Sequence, residues 1–146
     1  LIVAIKDREM AQAIIEMKSQ SEGLLSQIYY LQEMVQRPPR DIRCIVAGDN
    51  VVTAAYRYAP PDDWRTNVAI GGKSAPCPIT PELKEMVLKA AEAVGGGVFG
   101  VDLMEGPQGL VVHEVNHTVE FKGAASVSTI NIPKAIIDYV VGLTRR

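Results

Sequence analysis

Two acidic residues and an amide in the last third of the chain have types and a spacing that could hold a metal ion. Asp102 lies in the apolar run VFGVDLM, and Glu114 and Asn116 lie two residues apart in VVHEVN. Residues two apart on a strand point to the same face, and a turn centred near Gln108 would place Asp102 opposite Glu114, with Cβ atoms ~5 Å apart. Two facing carboxylates repel each other unless a proton or a cation lies between them. Because two carboxylates and an amide oxygen are hard ligands, we predict a Mg²⁺ site; two acids on a solvated sheet face are the alternative.

Three arginines in the middle of the chain could bind phosphate. Arg43 and Arg57 lie on adjacent predicted strands, and Arg65 opens a loop that contains glycines. A guanidinium group suits phosphate and acyl phosphate because it stays charged and donates hydrogen bonds in a planar fork. The pattern therefore predicts an anion site, although scattered surface arginines would give the same pattern.

The segment YLQEMV at residues 30–35 could contact a nucleotide. An extended apolar segment can lay its backbone along an adenine edge, and the carboxylate of Asp41, a few residues later, can accept hydrogen bonds from ribose hydroxyls. An ordinary core strand is the simpler interpretation. The glycines at 95–97 lack the Lys-Ser/Thr pair of a phosphate-binding P-loop, and the sequence suggests no Ser–His–Asp or Cys–His arrangement.

The elements that must position these side chains alternate between helices and strands. The helix caps Asp7 and Thr80, each followed by apolar residues at helical spacing, predict helices over residues 7–19 and 80–94. A last helix is predicted over residues 133–143. Apolar, β-branched runs bounded by turn residues predict strands over residues 1–6, 28–35, 41–47, 51–58, 98–104 and 110–115. The turn residues GDN at 48–50 predict a hairpin of the strands on either side, and the last two strands are predicted to form a second hairpin. Residues 59–77 carry little regular pattern. This order predicts an α+β fold in which an antiparallel sheet is covered by helices.

Length and composition fit one domain with a hydrophobic core: 146 residues, of which 47% are hydrophobic and 22% charged. No apolar run approaches the ~20 residues that span a bilayer, and a net charge of -2 gives no basic surface. We therefore expect neither a membrane nor a nucleic-acid partner. Cys44 and Cys77 indicate neither a metal cluster nor a disulfide framework, so a reducing cytoplasm is the expected location. Because the chain opens inside a strand-like run without Met, we expect it to be a piece of a longer protein.

Four blocks in this order resemble the C-terminal part of an ATP-grasp carboxylate–amine ligase. They are LQEMV at 31–35, DIR at 41–43, RTNVAIGG at 65–72, and VDL at 101–103 paired with EVN at 114–116. The resemblance covers nearly the whole chain and implies that residues 1–146 are a partial ATP-grasp domain. The family's N-terminal domain, nucleotide-binding lysine and glycine-rich loop have no counterpart in this sequence, so the chain by itself is expected to be inactive.

The resemblance implies a role for each candidate residue. The adenine of ATP would be bound by Gln32, Glu33, Met34 and Val35. Its ribose would be bound by Asp41 and its γ-phosphate by Arg43. Mg²⁺ would be bound by Asp102, Glu114 and Asn116. The catalytic residues Arg43, Arg57 and Asn67 would contact the reacting phosphate and carboxylate. The substrate would be met by Arg65, Asn67, Thr118, Glu120 and Lys122.

The run HEVNHTVEFK at 113–122 is similar to the LysX/RimK group of these ligases. It implies that α-aminoadipate, or glutamate, is attached to the C-terminal glutamate of a small acidic carrier protein of the LysW type in lysine or arginine biosynthesis. The two substrates differ by one methylene group, worth only ~1–3 kcal/mol of discrimination. The partners would be that carrier and the amino acid, and a homo-oligomer is left open. The alternatives are a RimK-type ribosomal-protein glutamate ligase and a noncatalytic module that binds a nucleotide or a divalent cation.

Overall fold

The computed structural model describes residues 2–21, 23, 28–66 and 71–145. The chain divides into two compact units, Leu1–Val35 and Gln36–Arg146. The first unit carries one described helix, and the second carries the sheet, the other described helices and most of the candidate site residues. No helix among the described residues is long and apolar enough to cross a membrane.

In the first unit, helix α1 spans Arg8–Ser19, as the sequence predicted. The Asp7 carboxylate accepts a hydrogen bond of 2.8 Å from the Met10 amide. This bond satisfies one of the N–H groups that the first turn of a helix leaves without a partner. None of the residues of α1 is fully buried.

Two predicted strands of this unit are wrong. Residues 2–6 and 28–35 have no regular secondary structure, and they expose apolar side chains, Ile2 by 70% and Leu31 by 78%. A strand needs a neighbour that takes up its N–H and C=O groups, and neither segment belongs to the sheet. The apolar composition of these segments therefore does not make them strands; Leu1, also assigned to the first of them, lies outside the described residues.

Within the described part of the second unit, five strands form one antiparallel sheet in the order β3-β2-β1-β4-β5. They are β1 Arg40–Ala47, β2 Asn50–Tyr58, β3 Lys73–Pro76, β4 Val98–Gly106 and β5 Gly109–Asn116. Both predicted hairpins, β1–β2 and β4–β5, are confirmed. The first turns at Gly48, which has a φ of 63° and no room for a side chain against the Tyr139 ring. β3 was not predicted, because it is short and owes its structure to pairing with residues 55–58 of β2.

The described helices of the second unit are α2 Pro81–Ala93, α3 Lys122–Ala125 and α4 Ile132–Thr144. The predictions of α2 and α4 are confirmed. At the start of α2 the Thr80 hydroxyl accepts a hydrogen bond of 3.2 Å from the Leu83 amide. At the start of α4 the Asn131 side chain accepts one of 3.0 Å from the Lys134 amide. α3 was not predicted, since four residues are too few to show helical periodicity.

The helices pack on both faces of the sheet. Leu83, Val87 and Ala91 of α2 are buried against one face. Ala124 of α3 and Ile132 of α4 are buried against the other. The predicted α+β fold, an antiparallel sheet covered by helices, is confirmed. The face that α3 and α4 pack on also carries the charged side chains of the candidate site, because residues alternate between the two faces along each strand.

Candidate functional site

Arg43, Asp102 and Glu114 lie side by side across three strands. Asp102 on β4 pairs with Arg43 on β1 and with Glu114 on β5. Residues that pair directly across antiparallel strands have side chains on the same face, so Asp102 and Glu114 face each other as expected. Asn116 follows two residues later on β5, opposite Gly100, and shares that face. The structure therefore gathers the three predicted metal ligands beside an arginine.

A β-bulge in the last hairpin produces this pairing. Nearer the turn, Leu103 pairs with Val112. A regular continuation would pair Asp102 with His113 and would turn Glu114 to the opposite face of the sheet. Instead the register shifts by one residue between Asp102 and Leu103. His113 is the extra residue of this bulge, and Glu114 therefore lies opposite Asp102.

Ion pairs join two buried acids and two half-buried arginines on this face. Arg57 donates from Nε and Nη2 to the two carboxylate oxygens of Asp41, at 2.7 and 2.8 Å. Its Nη2 atom also lies 3.1 Å from Asp102 Oδ2, and Arg43 Nε lies 2.7 Å from Asp102 Oδ1. Asp41 and Asp102 are each only 4% exposed. Arg43 and Arg57 are therefore not scattered surface arginines but parts of one ionic cluster around two buried acids.

The Asp102 carboxylate is buried at a cost that its arginine partners offset only in part. Burial raises the pKa of Asp102 above its usual value, and the Arg57 and Arg43 guanidinium groups lower it by less. Although Arg43 Nε is close to Asp102 Oδ1, no described donor is aligned to form a hydrogen bond with that oxygen. A buried oxygen with a free lone pair beside Glu114 and Asn116 fits a hard cation.

The donor set contains two carboxylates and relies on an amide for its third oxygen. In the described part of the chain, no group of three or more His, Cys, Asp and Glu side chains could hold a metal ion. Asp102, Glu114 and Asn116 are consistent with that finding, because only two of the three are acidic. Such a set suits Mg²⁺, which commonly keeps several water or phosphate ligands.

Gly100 makes room for the Arg43 guanidinium group. A Cβ atom on Gly100 would lie 2.5 Å from Arg43 Nη1, closer than real carbon contacts. The missing side chain lets Arg43 extend over β4 next to Asp102. Sequence analysis did not single out Gly100. The available signal was a glycine inside an apolar strand, which often marks the close approach of another group.

A polar cavity of about 260 Å³ opens beside this row of residues. It is lined by Arg43, Glu114, Asn116, Thr118 and Glu120. The cavity therefore brings two predicted metal ligands together with two predicted substrate residues and an arginine. A larger open groove of about 570 Å³ lies between α2 and β5 on the opposite face, and none of the predicted site residues lines it.

Lys122 and Arg65, which were predicted to meet the substrate, do not line the polar cavity. Lys122 is exposed at the start of α3. Arg65 forms an ion pair of 2.6 Å with Asp63, and its guanidinium group lowers the pKa of Asp63 to about 2. Asn67 lies outside the described residues. Residues 32–35 belong to the first unit, and their contact with adenine stays a prediction.

Thr66, which sequence analysis missed, completes the surroundings of Asp41. Its hydroxyl donates a short hydrogen bond to Asp41 Oδ2, and Thr66 is only 4% exposed. The available signal was its place between Arg65 and Asn67, both of which were singled out. The predicted contact of Asp41 with ribose stays a prediction.

Comparison with known proteins assigns the family. The sequence profile of the RimK-like ATP-grasp domain matches residues 1–140. The chain belongs to the RimK-like ATP-grasp family. It is 35% identical over 141 residues to the glutamate–LysW ligase ArgX of Sulfurisphaera tokodaii, and 34% identical over 139 residues to the α-aminoadipate–LysW ligase LysX of Saccharolobus solfataricus. These alignments cover 96% and 94% of this chain and 50% of each relative, so the chain spans about half the length of the curated relatives it matches.

A solved ATP-grasp structure has the same fold. The ligase PsnB, complexed with a phosphomimetic variant of its minimal precursor, Mg and ADP, matches with a TM-score of 0.59 over 75% of this chain and 34% of its own. At 24% identity, this likeness concerns the fold alone. The family that the four sequence blocks indicated is confirmed by the match to the RimK-like ATP-grasp domain, and both curated relatives are ligases.

Proposed function

We propose that the protein to which this chain belongs is an ATP-dependent carboxylate–amine ligase that works through an acyl phosphate. The observation that carries the proposal is the facing pair Asp102 and Glu114 beside two half-buried arginines. In the first step a substrate carboxylate attacks the γ-phosphorus of ATP and ADP leaves. In the second an amine attacks the acyl carbon and phosphate leaves. Such chemistry depends on positioning and on charge neutralisation, and it requires no protein nucleophile.

Asp102, Glu114 and Asn116 would bind Mg²⁺, because they present hard oxygen atoms on one sheet face. The bound ion supplies positive charge to phosphate oxygens. Arg43 and Arg57 add guanidinium donors on the same face, where they would neutralise charge on the transferring phosphoryl group. The backbone of residues 32–35 would meet the adenine.

The polar cavity would hold the amino-acid substrate, which we infer to be α-aminoadipate. The reaction would attach this amino acid to the C-terminal glutamate of a LysW-type carrier. Glu120 suits the ammonium group of that substrate, and Thr118 offers a hydroxyl donor. Arg65 and Lys122 do not line this cavity, and they and Asn67 remain predicted contacts of the substrate carboxylates. Likeness to LysX and to ArgX supports this class of reaction equally, and so glutamate is the alternative substrate.

The test is an assay of the full-length protein that carries this chain. ATP, Mg²⁺, α-aminoadipate or glutamate, and an acidic carrier ending in glutamate are supplied, and both ADP release and the intact mass of the carrier are measured. A carrier that gains one aminoadipate supports the proposal, and a carrier that gains glutamate moves the assignment to the ArgX type. Glutamate added to a ribosomal protein, with no carrier modified, would point to the RimK type. A lack of ADP release with every pair of substrates would leave only a noncatalytic binding module.

A further inference from the structure

A chain of buried polar contacts runs from the loop before β3 to the candidate metal site. The Thr66 hydroxyl donates to Asp41, and Asp41 binds Arg57 through both of its oxygens at 2.7 and 2.8 Å. Arg57 in turn reaches Asp102 at 3.1 Å. Thr66, Asp41 and Asp102 are each 4% exposed, so water does not compete strongly for these contacts.

The geometry fixes one rotational state of Arg57. A guanidinium group held by two parallel hydrogen bonds to one carboxylate cannot turn about its side-chain bonds without breaking both. The Nη2 atom that faces Asp102 is one of the two donors to Asp41. The place of this atom beside Asp102 is therefore set by Asp41, and the orientation of the Asp41 carboxylate is set in part by Thr66.

We propose that Thr66 and Asp41 are positioning residues, which hold the Arg57 guanidinium group against Asp102 in the orientation needed for phosphoryl transfer. The inference rests on the proposed ligase function. It assigns Asp41 a role through Arg57, because the Arg57 guanidinium group is bound to both Asp41 oxygens. The same contacts connect the loop that carries Arg65 to Arg57, which we propose neutralises charge on the transferring phosphoryl group.

The first test compares matched threonine variants of the full-length protein. Thr66→Val keeps the shape and removes the hydroxyl donor, so kcat should fall by about 10- to 100-fold, the usual effect of losing a residue that orients a ligand, with little change in KM for ATP. Thr66→Ser keeps the donor and should retain activity near that of the wild type. The control is Thr53→Val, whose kcat should not change. Thr53 is a buried threonine on the sheet face that carries the candidate site, but its hydroxyl bonds Ser128 at 3.0 Å and not Asp41. Equal kcat for Thr66→Val and the wild type would overturn the proposal.

A second test separates positioning from contact with ribose. Asp41→Asn should lower kcat, and combining it with Thr66→Val should add little, because the two residues act as one unit. The preference of the enzyme for ATP over 2′-deoxy-ATP should be the same in Asp41→Asn as in the wild type. If that preference disappears in Asp41→Asn, then Asp41 binds the ribose hydroxyl, and the positioning role is wrong.

A third readout does not depend on turnover. The Nε–H proton of Arg57 is held by Asp41, so its NMR signal should exchange slowly with water in the wild type and in Thr66→Ser, and faster in Thr66→Val and Asp41→Asn. Unchanged exchange in both of the last two variants would overturn the proposal. A wild-type protein that releases no ADP with any substrate pair would defeat the proposed function, whereas this exchange measurement would still decide the role of Thr66 and Asp41.

Discussion

The candidate site contains more negatively than positively charged side chains. Asp41, Asp102 and Glu114 supply three carboxylates on one sheet face, against the guanidinium groups of Arg43 and Arg57. Both aspartates are buried, and a buried charge is tolerated only with partners. With all five groups ionised, one negative charge is in excess, and a divalent cation would reverse the sign of the cluster. This excess of negative charge is compatible with the predicted Mg²⁺ site between Asp102 and Glu114.

Glu114→Gln should separate metal binding from folding. The substitution keeps the size of the side chain but removes the charge and one acceptor oxygen of an exposed predicted ligand, so the Mg²⁺-dependent ADP release of the full-length protein should fall by about 100-fold or more. The fold, followed by circular dichroism, should not change. Glu92→Gln is the control, because Glu92 is exposed on α2 over the opposite face of the sheet. Near wild-type release by Glu114→Gln across a Mg²⁺ titration would rule out the metal assignment.

Gly100→Ala tests the space that Arg43 occupies. The new methyl group would lie 2.5 Å from Arg43 Nη1, so the guanidinium group must move away from Asp102. We expect a loss of about 1–3 kcal/mol of unfolding free energy, as for other overpacked interiors, together with reduced turnover. Gly142→Ala on α4 is the control, since nothing lies within 4 Å of its added methyl group; it should gain about 0.4–1 kcal/mol. Urea unfolding of both variants measures the difference, and two equal values would contradict the close contact.

Among the elements, β4 and β5 decide where the acids point. Their hairpin changes register between Asp102 and Leu103, and without that bulge Glu114 would face α2 instead of Asp102.

The ends of the helices are set by local sequence signals. α2 begins at a threonine cap and ends before the glycines at 95–97, which have positive φ values. α2 then buries its apolar side chains against the face opposite the site.

Thr80→Ala tests the cap of α2. The hydroxyl accepts the 3.2 Å hydrogen bond from the Leu83 amide, and its loss should cost about 1 kcal/mol of unfolding free energy. Thr80→Ser should keep most of that stability, because serine is an equally good cap. Chemical denaturation of the three proteins gives the comparison. If the serine and alanine variants lose the same amount, the stability comes from the methyl group of Thr80 and not from the cap.

At the scale of the whole molecule, the described residues form two units of different character. Residues 28–35 of the first unit are without regular structure, whereas β1, β2 and β4 of the second unit are paired on both sides. Backbone amides in doubly paired strands exchange with water only through large openings, whereas amides outside regular secondary structure exchange more readily. If a nucleotide binds to residues 32–35, it should therefore slow the hydrogen exchange of their backbone amides by a measurable amount.

Hydrogen exchange of the full-length protein should detect the nucleotide contact. Addition of ATP and Mg²⁺ should slow exchange at residues 32–35, because adenine would accept and donate hydrogen bonds with that backbone. Inorganic tripolyphosphate with Mg²⁺ carries the same type of charge but no adenine, and it should leave those residues unchanged. Equal slowing by both ligands would mean that the segment responds to phosphate binding and does not contact the base.

Sequence alone determined the features that depend on residues close together in the chain. The Asp7 and Thr80 caps, the Gly48 turn and the two-residue spacing of Glu114 and Asn116 each act over a few residues, and each is found as predicted. The four motif blocks were likewise sufficient to indicate the family, because they record residue types in order.

Only the tertiary structure decided what depends on distant partners. Residues 2–6 and 28–35 have strand-like composition, yet a strand exists only where another strand completes its hydrogen bonds. The turn centre assumed from the sequence led to the right pairing of Asp102 with Glu114, but the molecule reaches it through a bulge at His113. The contacts of Arg57 with two acids, and of Arg43 with Gly100, join residues 16 or more positions apart. No local pattern encodes such contacts, because they depend on how the strands are ordered in the sheet.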